Sequence, residues 1–182
     1  REYASWARRR SFTSASRSAV TGSQRSVAAI QASLAAFREV RERRGAAHLL
    51  RWVGSLHASL GHHDQAQEVL RECLAANQEL GDRLGAAYTL GTLGEVYISR
   101  CRLAEASSSL DQSLSLFDQL GNQSGQAWAL RTLGRLRISQ HRIPDALHHL
   151  QASIRLFGQL HMPLGQARGL MVLGDAYLAK DD

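Results

Sequence analysis

Two adjacent histidine pairs, His62-His63 and His148-His149, are the residues of this 182-residue chain that most invite a metal reading. Neighbouring positions on a helix point about 100° apart, however, and no acid or cysteine completes a ligand set beside either pair. They read as solvated surface histidines, and no metal site is expected. Cys73 falls at a small-residue position that Ser113 and Ser153 also occupy, so packing explains it better than reactivity. Cys101 sits in a turn without the neighbouring base or second thiol that would activate it. The chain contains no GxxxxGK phosphate loop, no GxGxxG after a strand, no HExxH and no nucleophile elbow. Catalysis has no foothold, and no cofactor is expected.

Arginine supplies the other concentrated chemistry. Lys180 is the only lysine, and residues 1–44 carry ten Arg against three acids, a charge of +7, with Arg8-Arg9-Arg10 and Arg41, Arg43 and Arg44 as its densest parts. Residues 45–182 carry 12 basic and 13 acidic side chains, a charge of −1. Glu39 and Glu42 dilute the basic start, so it reads as a solvated helix face or linker, and no direct nucleic-acid contact is expected. The two cysteines form neither a CxxC pair nor a framework, which suits a reducing compartment. No run approaches a membrane span and no secretory signal opens the chain, so a cytoplasmic protein is expected. It begins at Arg1 and stops just after LGDAYLAK, as an excised piece of something longer would.

The elements that position these side chains follow from self-similarity at a spacing of 40 residues. Residues 84–123 laid over 124–163 give 16 identities without a gap, among them Leu90, Leu93, Gly94, Ala106, Leu110, Phe117 and Leu120. The frame extends back through Gly54, Ala66, Leu70, Ile30, Leu34, Phe37 and Val40, and forward through Leu170, Leu173, Gly174 and Tyr177. Three full repeats are expected at 44–83, 84–123 and 124–163. The second half of an earlier repeat covers 23–43, a terminal helix covers 164–180, and residues 1–22 are a degenerate first helix around Trp6 and Phe12 or a linker.

Within a repeat the apolar positions fall three or four apart, which is helical periodicity, so each repeat holds two helices. The break between them lies at Gly61-His62-His63, Arg100-Cys101-Arg102 and Gln140-His141-Arg142. Pro144 follows the third copy, where a helix's first turn tolerates it. Gly81 and Gly121 close the second helices, where glycine takes the left-handed cap conformation.

Leu90, Leu93-Gly94, Tyr97, Ala106 and Leu110, with Leu170, Leu173-Gly174 and Tyr177 in the last copy, resemble the signature of the tetratricopeptide repeat (TPR). The resemblance implies an all-α fold, a right-handed α-α superhelix of stacked antiparallel helix pairs. HEAT repeats are the alternative, against which the Leu-Gly and Ala placement argues. The family's usual period is 34, and the six extra residues are expected mostly in longer second helices. That longer form resembles the arrays of bacterial regulators of the Streptomyces antibiotic regulatory protein family, and also occurs in animal scaffold and motor light-chain proteins.

In such arrays the first helix of each pair lines a concave groove. The positions opposite the Leu-Gly core are then His48, Arg51 and Ser55; Tyr88, Gly91 and Glu95; Trp128, Arg131 and Arg135; and Arg168, Met171 and Asp175. Trp128 beside three arginines suits a carboxylate or acidic peptide through forked hydrogen bonds and stacking. The alternative is that the arginines pair with Glu95 and Asp175 and keep the groove soluble. Trp52, beside Val53, reads as a packing residue. The expected function is a non-catalytic protein- or peptide-binding scaffold, the sensor domain of a bacterial transcriptional regulator. The alternatives are a signalling-peptide receptor or a self-assembly module that forms homo-oligomers. The partner is another protein, a peptide, or another domain of the same polypeptide.

Overall fold

A computed structural model describes residues 43–181. Seven helices occupy this stretch: α1 (Arg43–Ser59), α2 (His63–Glu79), α3 (Arg83–Ser99), α4 (Leu103–Gln119), α5 (Gln123–Ser139), α6 (Ile143–Gln159) and α7 (Pro163–Asp181). The starts of α1, α3, α5 and α7 recur every 40 residues, as do those of α2, α4 and α6. The fold is an all-α solenoid of stacked antiparallel pairs.

The first six helices are each 17 residues long. The residues beyond a 34-residue period are therefore not gathered in the second helices, as the sequence suggested. Two antiparallel helices bury their facing stripes over their whole length only when they match, and here both run about 25 Å. His63 opens α2 rather than ending the turn before it.

Tight turns separate the helices because their ends are capped locally. After α2 the Gly81 amide donates to the Gln78 carbonyl and the Asp82 amide to Asn77, with Gly81 at φ +65. Gly121 does the same after α4 at φ +63. These are the paired bonds of a glycine-terminated helix. Asp82 and Asn122 then accept from the Gly85 and Gly125 amides, at 2.8 and 2.7 Å, and start α3 and α5. Pro144 lies in the first turn of α6.

Close approach within a pair rests on the Leu-Gly step. A Cβ at Gly54, Gly94 or Gly134 would lie 2.5 Å from Cγ of Leu70, Leu110 or Leu150, so only glycine admits the leucine. Ala66, Ala106 and Ala146 are fully buried in the second helices. A polar clip repeats alongside. Cys73 Sγ donates to the Ala47 carbonyl at 3.1 Å, and Ser113 and Ser153 donate to Ala87 and Ala127 at 2.7 Å. Cys73 is thus a packing residue, and burial pushes its thiol up, against weaker opposing effects of Thr89, Arg51 and Asn77.

Each helix packs on the next, and the backbones of α1–α3, α3–α5 and α5–α7 also approach closely, whereas those of α2, α4 and α6 stay farther apart. The first helices therefore form the short, inner side of a curved stack. α3, packed against α1, α2, α4 and α5, is buried over most of its length and correspondingly rich in apolar residues. No helix among the described residues is long and apolar enough to cross a membrane.

Candidate functional site

The inner side carries the candidate residues, one set per first helix, because positions three and four apart share a helix face. They fall into three environments. At the α1 end, His48 is exposed, and Arg51 Nη2 lies 3.3 Å from His48 Nε2. The Arg51 guanidinium stands 5.5 Å from the Tyr88 ring centre and 5.7 Å from that of Trp52. Trp52 itself is 53% exposed, so it is an open aromatic edge rather than a packed one.

In the middle, the aromatic residues pack on one another. Trp128 lies across Gly91, where a Cβ would sit 2.1 Å from its ring. Tyr88 and Phe117 flank it, with ring centres at 5.9 and 6.4 Å. Trp128 is half-buried and presents only part of its ring to the groove.

At the α5–α7 end the arginines divide. Arg135 pairs with Glu95 at 3.7 Å, and the Thr132 hydroxyl donates to the same carboxylate at 3.5 Å. Among the described residues Arg131 and Arg168 form no ion pair, and neither does the exposed Asp175. Burial lowers the Arg131 pKa, Glu95 opposes that shift, and the Arg135 and Arg168 charges add to it. Arg131 still carries its charge at neutral pH. It is a half-buried cation with Arg135 and Arg168 on one side of the balance and the single acid Glu95 on the other, an environment in which a further anion is favoured.

Arg131 and Arg168 border a cavity of about 380 Å³ whose wall is mainly apolar, built from Trp128, Phe157, Met162 and Leu164. Sequence reasoning did not include Phe157, Met162 or Leu164. Phe157 was legible as the repeat equivalent of Phe117, but its ring reaches the groove only because Gly165 leaves room, a Cβ there lying 2.5 Å from the ring. Met162 and Leu164 come from the turn into α7 and from its first residues, with no periodic signal.

A tetratricopeptide repeat model matches residues 44–119 and again 85–159. The chain belongs to the tetratricopeptide repeat family. Its TPR stack is similar to BtubC (BKLC) from P. vanneervenii, with a TM-score of 0.66 at 19% identity, covering 77% of this chain. The chain spans 58% of the length of that structure. It is also similar to two crystal structures, one of them of a point variant, of a Podosopora anserina protein described as a putative kinesin light chain with nearly identical TPR-like repeats. The TM-scores are 0.67 for the variant and 0.61 for the other, each at 14% identity over 87% of this chain and over 79% and 82% of theirs. At such identities the likeness is one of fold. No curated protein matches the chain.

The remaining chemistry of the TPR stack is sparse. The His148 and His149 rings stand 5.9 Å apart, and among the described residues no three His, Cys, Asp or Glu side chains gather as a metal site. Cys101 is exposed in the turn between α3 and α4.

Proposed function

We propose that this TPR array is a non-catalytic scaffold whose groove binds a protein or peptide, the ligand contributing an acidic group beside an apolar side chain. The observation that carries the reading is the pair Arg131 and Arg168, neither of them in an ion pair among the described residues, at the mouth of an apolar cavity. A carboxylate there takes forked hydrogen bonds from a guanidinium already stripped of part of its water, and the neighbouring apolar group fills the cavity. Arg135 is held by Glu95 and contributes little. The α1 end, with His48, Arg51 and Tyr88, offers a second contact stretch for an extended ligand. Asp175 borders the groove without contacting the cavity and disfavours a second acid at that end.

By the same reading the array is a cytoplasmic regulatory domain of a bacterial transcriptional regulator. Its support is the 40-residue repeat and the near-absence of lysine. The ligand is then a separate protein, a signalling peptide, or another domain of the same polypeptide.

The test is titration calorimetry with peptides that place one Leu or Phe among Asp and Glu, set against amidated, uncharged versions. Acidic peptides bind, and Arg131→Ala with Arg168→Ala weakens them at least about a hundredfold, two charge-assisted hydrogen bonds contributing roughly 1.5–3 kcal/mol each. Equal binding of the uncharged versions, or full affinity in the double variant, refutes the reading.

A further inference from the structure

Trp128 closes the junction between α3 and α5 from within the chain. Its ring lies over Gly91, where a Cβ would sit 2.1 Å away, and Tyr88 and Phe117 stand beside it with ring centres at 5.9 and 6.4 Å. At the junction between α5 and α7 the positions 40 residues on from Trp128, Gly91, Tyr88 and Phe117 are held by Arg168, Arg131, Trp128 and Phe157. The two aromatic walls recur, but an arginine stands where the filling ring stood, and another where glycine received it. The cavity of about 380 Å³ lies at this junction, walled in part by Trp128 and Phe157 and bordered by both arginines.

Two properties of the cavity specify its occupant. Its interior suits a plain ring. Besides the arginines, the polar side-chain groups on its wall are the hydroxyls of Tyr88 and Ser124 and the Trp128 indole N–H, and the Ser124 hydroxyl donates to Asn122 Oδ1 at 3.0 Å. A nucleobase would leave buried donors and acceptors without partners, whereas a phenyl ring has none to satisfy. Its mouth carries more positive charge than one carboxylate offsets. The charges acting on Arg131 are those of Arg135, Arg168 and Glu95, so three cations face one acid, and Asp175 is exposed two turns farther along α7. A phosphate monoester, at about −1.5 to −2 near neutral pH, matches that excess and offers oxygens enough for two guanidinium forks. Phosphotyrosine carries the ring and the phosphate on one rigid side chain.

Given that this groove binds a peptide, we propose that its ligand is a phosphotyrosine-bearing segment of a partner protein, the ring seated between Trp128 and Phe157 and the phosphate held by Arg131 and Arg168. The ring supplies from a second molecule what Trp128 supplies from within the chain one repeat earlier. Phosphoserine brings the charge without the ring, and Phe beside Glu brings the ring with a single carboxylate charge.

Titration calorimetry on the full 182-residue chain tests this, with capped peptides of Gly, Ser and Ala around one phosphotyrosine, tyrosine, phosphoserine or Glu-Phe pair. The phosphotyrosine peptide binds at least about a hundredfold more tightly than its tyrosine form, through the two guanidinium contacts. It binds at least about tenfold more tightly than the phosphoserine peptide, through burial of the ring, and more tightly than the Glu-Phe peptide. Arg131→Gln with Arg168→Gln removes the preference for the phosphorylated form. Ser124→Leu, which places in the cavity wall the residue that Leu84 and Leu164 supply at the equivalent positions, cuts the preference for phosphotyrosine over phosphoserine at least about tenfold, with folding checked by circular dichroism. Equal binding of the Glu-Phe and phosphotyrosine peptides overturns this assignment and leaves the acidic-ligand reading intact, whereas no binding of any peptide overturns both. Phosphoserine binding as tightly as phosphotyrosine removes the ring from the argument and overturns it. Phenyl phosphate binding as tightly as the phosphotyrosine peptide overturns it in favour of a small aryl phosphate.

Discussion

Replacing glycine by alanine at two equivalent positions separates local helix preference from tertiary contact. At Gly94 a new Cβ lies 2.5 Å from Leu110 Cγ, 2.7 Å from Cδ2 and 3.3 Å from Cδ1. Leu110 is fully buried, so relieving the contact shifts its side chain against the core or parts the pair of helices. Overpacking of this kind costs about 1–3 kcal/mol, while alanine in a helix interior gains about 1 kcal/mol over glycine. The Gly94→Ala chain is therefore less stable than the parent by up to about 2 kcal/mol. At Gly174 the same substitution meets nothing within 4 Å, so the propensity gain of about 1 kcal/mol stands alone. Urea unfolding followed by circular dichroism reads the first change. Hydrogen exchange of the α7 amides, in dilute solution, reads the second, because terminal turns open locally. If Gly94→Ala stabilises as much as Gly174→Ala does, the Leu-on-Gly step is not what sets the spacing of the pair.

The turns carry a second prediction. Cys101, His141 and His161 hold φ of +57, +56 and +53, where Gly61, Gly81 and Gly121 hold the equivalent turns. Glycine at any of the three relieves about 1–2 kcal/mol of left-handed strain and costs about 0.5–1 kcal/mol of unfolded-state entropy, so thermal unfolding shows a gain of up to about 1.5 kcal/mol per site. Burial lowers the His149 pKa, with Arg137 and His148 adding and Asp145 and Asp111 opposing, and burial and His62 lower that of His57. The folded chain then binds fewer protons than the unfolded one. Stability is complete above the ordinary histidine value of about 6.5 and falls as pH drops through it. His149→Gln flattens this slope in urea titrations between neutral and mildly acidic pH, and an unchanged slope refutes the assignment. A thiol reagent labels exposed Cys101 promptly and buried Cys73 only on unfolding, and equal rates would contradict the buried clip to Ala47.

The period, the helix pairs, the glycine ends of α2 and α4 and the Leu-Gly step were legible in the residues, because each depends on partners a few positions away or on the same contact repeated every 40. The equal helix lengths were not, since the period constrains only the sum of the two helices and their turns. At the groove, residue type and spacing identified the face but not the state of its side chains. Arg131 and Arg135 are four apart on one helix, yet Glu95 from the neighbouring first helix pairs with only one of them. Trp128 reads as an open platform until Gly91, on the preceding first helix, is seen to receive it. The cavity exists because Phe157, Met162 and Leu164 meet at the junction of α6 and α7. Sequence periodicity determines which face a residue occupies. Which neighbour it meets there is decided only when successive first helices stack, since pairing, burial and cavity shape are properties of contacts between repeats.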